Sequence, residues 1–228
     1  MKHTAIFLLA LFVVSLQLSL SGCAATDHPR HGKLSAMWPY VEHLDSPEFK
    51  AGLLRRDSAY VTQTGHGALV EAALFGYTDV VKALAKDKKL LEQQGDEAIY
   101  WAASMGRIKT IQVLLDAGIS SNATISNGAT PIFSAIENGE IDAACFLLSN
   151  GANINHRANM NVSLMKLAIF TGNPDAVKLL LENQYKPKNI EEKERSIQMA
   201  ERLKQNDMVS MLTMKTYALD RPKICGRI

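Results

Sequence analysis

The sequence predicts an all-α solenoid of about four to five helix-turn-helix repeats joined by short hairpin loops. Three observations carry that expectation. A small apolar segment closed by glycine recurs as Ala72-Ala73-Leu74-Phe75-Gly76, Ala102-Ala103-Ser104-Met105-Gly106, Ala135-Ile136-Glu137-Asn138-Gly139 and Ala168-Ile169-Phe170-Thr171-Gly172. Seven residues after each leading alanine stands Asp79, Lys109, Asp142 or Asp175, and twelve after it Leu84, Leu114, Leu147 or Leu180. A fifth copy keeps Ala200, Asp207 and Leu212 but has Lys204 where glycine would be. A period in this range marks a repeat architecture, in which no single unit can bury both of its faces.

Before the repeats, Met1, Lys2 and His3 make a short basic start, and Ala5 to Leu20 is an almost unbroken apolar run. The run is shorter than the roughly 20 residues that span a bilayer as a helix, so 1–22 reads as a secretory signal. It ends in Leu20-Ser21-Gly22-Cys23. This tetrad resembles the bacterial lipoprotein box. The resemblance implies cleavage before Cys23 and acyl chains such as palmitate on it, a membrane anchor when several chains are present. It also implies, since Ala24 is not aspartate, sorting to the outer membrane with the domain facing the periplasm. Residues 23–44 read as the lipidated N-terminus and tether. His28 and His31 there lack a fixed coordination geometry, so no metal and no cofactor is expected.

Residues 45–62 form an N-terminal capping helix or degenerate repeat. Ser46-Pro47-Glu48 suits a helix start, with a hydroxyl cap and proline at the first helical position. Phe49, Leu53 and Leu54 supply its apolar stripe. The repeats fill 63–216. Leu69, Ile99, Ile132 and Met165 recur at one inner position and the Leu84 series at another, while small alanines admit close helix approach. Residues 217–228 are a C-terminal tail.

The repeats resemble the ankyrin family. Its T-P-L-H-x-A segment is best matched by Thr130-Pro131-Ile132-Phe133-Ser134-Ala135, and its G-A-D-V-N segment by Gly151-Ala152-Asn153-Ile154-Asn155. In that family the first helices and hairpin tips line a concave side that carries protein partners. The resemblance places Glu71, Leu74 and Phe75, Trp101, Ser104 and Met105, Ser134, Glu137 and Asn138, and Leu167, Phe170 and Thr171 on that side. His156, Arg157 and Met160 lie at a tip. Phe75, Trp101, Met105 and Phe170 are more apolar than a solvated groove needs, and Trp and Arg are frequent binding anchors. The expected partner-binding residues are therefore Phe75, Trp101, Met105, Asn138, His156, Arg157 and Phe170.

Composition narrows the function further. Twenty-five Lys+Arg against 23 Asp+Glu, a formal charge of +2, is too balanced for a nucleic-acid binder. Three cysteines exclude a disulfide-dense scaffold. No nucleophile elbow, Walker loop, dinucleotide fingerprint or metalloprotease motif is present, so the chain is not expected to be an enzyme. With Cys23 lipidated, Cys145 and Cys225 remain, and the sequence leaves a bridge and two free thiols equally open. Cys145 occupies the position held by Lys82, Gln112 and Lys178 elsewhere, which suggests that it points outward.

Ankyrin-repeat lipoproteins of this organisation look like immunity proteins against lipase effectors of type VI secretion. The resemblance implies a lipid-anchored, periplasm-facing inhibitor whose partner is a secreted phospholipase. A constitutive envelope scaffold, or a stress-tolerance protein without inhibitory activity, is the alternative that uses the same surface.

Overall fold

In a computed structural model, the described residues are 46–56, 66–213 and 225. The leader, Cys23 and the tether lie outside them. The chain forms two compact units, residues 1–49 and 50–228. Of the first, residues 46–49 open helix α1 (Pro47–Arg55), where the amide of Phe49 donates to Ser46 Oγ at 3.1 Å.

Among the described residues of the second unit, ten further α-helices follow as five pairs: α2 (Ala68–Phe75) with α3 (Thr78–Leu84), α4 (Lys88–Ser104) with α5 (Ile108–Asp116), α6 (Pro131–Glu137) with α7 (Ile141–Ser149), α8 (Leu164–Phe170) with α9 (Pro174–Glu182), and α10 (Ile190–Arg202) with α11 (Asn206–Thr213). The first helices pack in series, α2 on α4, α4 on α6, α6 on α8 and α8 on α10, and the second helices do the same from α3 to α11. Each repeat thus touches its neighbours in a quasi-one-dimensional stack. Leu69, Ile99, Ile132 and Met165 are buried between the rows, as are Leu84, Leu114, Leu147 and Leu180. None of the described helices is long and apolar enough to cross a membrane.

One turn joins the helices of every pair. The carbonyl of the leading alanine accepts the amide five residues on: Ala72 from Tyr77, Ala102 from Arg107, Ala135 from Glu140, Ala168 from Asn173 and Ala200 from Gln205, at 2.8–3.1 Å. Closing that bond needs a left-handed residue just before the donor. Gly76, Gly106, Gly139 and Gly172 supply it with φ of 64–78°, and Lys204 adopts φ 57° at the same place. The glycines answer a second demand as well. A Cβ on Gly76 would lie 2.8 Å from the Arg107 side chain, and one on Gly139 3.3 Å from Asn173, so each repeat lays its post-turn side chain over the previous turn.

Asparagines tie the tips of neighbouring repeats together. Asn122 donates to the Gly151 carbonyl at 2.9 Å and accepts the Asn153 amide at 2.7 Å. Asn155 accepts the Lys186 amide at 2.8 Å. Between α7 and α8, strands β1 (Arg157–Ala158) and β2 (Val162–Ser163) pair antiparallel, with Arg157 opposite Ser163. The turn between them holds Met160 and Asn161 at φ 56° and 57°.

Candidate functional site

The candidate binding face is the row of first helices, and the side chains it presents change along the stack. Phe75 closes α2 half-buried, its ring stacked on Tyr77 with centroids 5.7 Å apart. Trp101 is also half-buried. Its Nε1 donates to Glu97 Oε1 at 3.3 Å, and that same oxygen lies 2.9 Å from His66 Nδ1. The His66 and Tyr100 rings meet the indole edge-on at 5.2 and 5.8 Å. Trp101 therefore offers part of its surface from a fixed orientation. Met105 is half-buried, and Phe170 stands 72% exposed at the end of α8. Leu203 stands exposed just after α10, and Met160 projects from its tip at 92% exposure.

Other positions on the expected face are closed. Leu74, Ser104 and Ser134 are buried because the neighbouring first helix covers them. Asn138, itself exposed, donates to Ser104 Oγ at 3.0 Å and to the Ser134 carbonyl, so its amide clasps one repeat to the preceding one. Burial together with the Glu137 carboxylate raises the pKa of Tyr100. Glu71 is 1% exposed, and neither of its oxygens has a hydrogen-bond partner. Burial alone pushes its carboxyl from 4.5 to about 8, so it is mostly protonated at neutral pH.

Two tip residues expected to meet a partner are committed within the fold. His156 Nε2 lies 2.9 Å from the Gly128 carbonyl, which only accepts, so this nitrogen carries the proton. The ring also meets Phe133 edge-on at 6.0 Å. Arg157 makes a bidentate pair with Glu192, 2.8 and 2.6 Å, and Tyr185 donates to the same carboxylate at 3.0 Å. That guanidinium holds the Glu192 carboxyl down at about 2. Both side chains are structural ties here, because repeat-to-repeat partners reach them before solvent does. Neither repeat period nor composition signalled this node, since its members come from different repeats and different elements.

Cys145 also departs from the outward expectation. It is 3% exposed, with its Sγ bonded to that of Cys225. Its polar counterparts elsewhere have no such partner to cover them. Cys23, the expected lipidation site, lies outside the described residues. Among the described residues no group of three His, Cys, Asp or Glu is placed to hold a metal. A shallow cavity of about 340 Å³ lies at the turn between α10 and α11, lined by Gly172, Lys204, Gln205 and Asp207 among others. It brings no nucleophile to a base.

Residues 69–158 match the family model for ankyrin repeats in three copies. The chain is similar to a transient receptor potential cation channel subfamily A member 1 homolog of Caenorhabditis elegans, 31% identical over 136 residues, 57% of this chain and 11% of that protein. It is similar to the ankyrin repeat domain-containing protein oryK of Aspergillus oryzae, 35% identical over 102 residues, 45% of this chain and 15% of the other. Putative ankyrin repeat protein L371 of Acanthamoeba polyphaga mimivirus is 28% identical over 130 residues, 53% of this chain and 17% of the other. The chain thus spans less than a fifth of these relatives' lengths. Repeats of this kind suggest protein–protein interaction.

Proposed function

We propose that this ankyrin-repeat solenoid is a lipid-anchored periplasmic protein that binds and inhibits an envelope-targeting toxin, a secreted phospholipase of the type VI kind. The observation that carries the binding reading is Phe170, 72% exposed on the first-helix row, with Trp101, Met105 and Phe75 half-buried on other members of that row. An exposed apolar row on a packed domain marks an interaction surface. The anchor reading rests on Leu20-Ser21-Gly22-Cys23. Acyl chains on Cys23 hold the binding face beside the lipid on which such a toxin acts. Inhibition then needs no chemistry from this chain, because covering the toxin's active-site mouth excludes substrate.

The test is capture of a partner from the envelope fraction by the full chain, followed by a phospholipase assay with and without it. Loss of lipase activity on adding the chain, relieved by Phe170→Asp, supports the reading. Capture with undiminished lipase activity transfers the function to a scaffold.

A further inference from the structure

We infer that the Cys145–Cys225 disulfide is a redox-dependent staple that holds the C-terminal repeat, α10 and α11, onto the stack. The terminal repeat has little core of its own. Of α10 only Ser196 and Ala200 are buried, and of α11 only Met208 and Leu212, whereas α2 buries every residue from Ala68 to Leu74. Ile190, which opens α10, and Leu203, which caps its end, stand exposed. Among the described residues α10 and α11 meet a neighbouring repeat on one side only, and in a nearest-neighbour stack such a repeat opens first. Among the described residues its polar ties to the rest of the stack are chiefly Glu192 with Arg157 and Tyr185, and Gln205 Nε2 with the Ile169 carbonyl at 2.9 Å.

The disulfide is the long-range exception to this pattern. It runs from Cys225, beyond α11, to α7 in the third repeat, a sequence separation of 80. The whole of α8 to α11 lies inside the covalent loop. When α10 and α11 fray, their chain stays anchored at both ends and gains far less freedom than a free terminus gains. Cys145 is buried where its counterparts Lys82, Gln112 and Lys178 are polar, so the position serves the bond rather than the repeat.

Forming the staple takes two electrons and two protons from the two thiols. A disulfide-bearing oxidant accepts them and becomes a dithiol, through a mixed disulfide that the second cysteine thiolate resolves. A dithiol reductant reverses the exchange. The complete repeat array is therefore a property of an oxidising compartment. This inference does not depend on the identity of any partner.

Hydrogen exchange on the full chain tests it, comparing oxidised protein, protein reduced and alkylated, and the Cys145→Ser/Cys225→Ser double variant. Amides of 190–213 are expected to exchange at least tenfold faster without the bond, while those of 68–136 keep their protection. Unchanged exchange in 190–213 overturns the staple. So does equal loss throughout 68–213, which would make the bond a global determinant of folding. Two alkylatable thiols in unreduced protein from an oxidising host also overturn it.

Discussion

Arg157 on β1 and Glu192 in the first turn of α10 meet in a bidentate ion pair of 2.8 and 2.6 Å that Tyr185 completes from a third segment. Tip residues in a repeat array are the usual candidates for partner contact, yet this pair faces inward and joins β1 to α10. It ties the strand ahead of α8 to the first turn of α10.

Removing one member exposes that role. Glu192→Gln is expected to cost about 2 kcal/mol at neutral pH, below the loss for a fully buried pair because both side chains keep some solvent. The wild-type carboxyl sits at about 2 when folded and near 4.5 when unfolded. Its contribution is therefore complete above pH 4.5 and lost as pH falls toward 2. Urea midpoints at pH 7 and pH 3 measure both effects, and the variant should differ from wild type less at pH 3.

Glu71 gives the opposite slope. Its carboxyl holds the proton to about 8 in the folded chain, against 4.5 when unfolded. Unfolding releases that proton in the interval between, so stability falls as pH rises from 4.5 to 8 and is flat beyond. Glu71→Gln keeps the shape and removes the titration. It is expected to be more stable than wild type at pH 8.5, by about 1–3 kcal/mol, and similar to it at pH 4. Equal midpoints at both pH values contradict the burial of an unpaired carboxyl.

Phe170 separates binding from folding more cleanly than Trp101 does. Phe170→Ala should leave the thermal midpoint within about a degree or two of wild type, since the side chain stands in solvent. Partner affinity should fall by about 2 kcal/mol. Trp101→Ala is expected to weaken binding similarly and also to lower the midpoint, because it removes the ring packed between His66 and Tyr100. Titration calorimetry beside thermal unfolding reads the two effects apart.

Two substitutions test the repeat geometry itself. Ala135 is fully buried where first helices approach, and Ala135→Leu is expected to destabilise by about 1–3 kcal/mol through overpacking. Lys204 holds φ 57° where the other turns have glycine. Lys204→Gly should therefore stabilise by up to about 1 kcal/mol. Denaturant melts of the two variants should move in opposite directions.

The fold was legible because its determinants are local and repeated. The leading alanine, the glycine four residues on and the leucine twelve on all act within one repeat, so their spacing carries the geometry. Lys204 shows that the rhythm outlasts the residue: the lysine takes the left-handed turn that glycine takes elsewhere. Exposure on the first-helix row was legible at Phe170, which stands in solvent at the end of α8. It was illegible at Glu71, since a carboxylate reads as surface until the neighbouring helices bury it. Arg157 and Cys145 escaped for a related reason. Each is explained by a partner from outside its own repeat, Glu192 in one case and Cys225 in the other, and a period cannot encode a partner that appears once.

The bond between Cys145 and Cys225 also divides the array by how much its length is free to change. Ahead of α7, gaining or losing a whole repeat only alters how far the face extends, since each junction meets the same kind of surface. Between α7 and Cys225, an added copy would fall inside the covalent loop and move the end of α11 farther from the Cys145 sulfur. Duplication and deletion are thus tolerated at one end of the molecule and censored at the other.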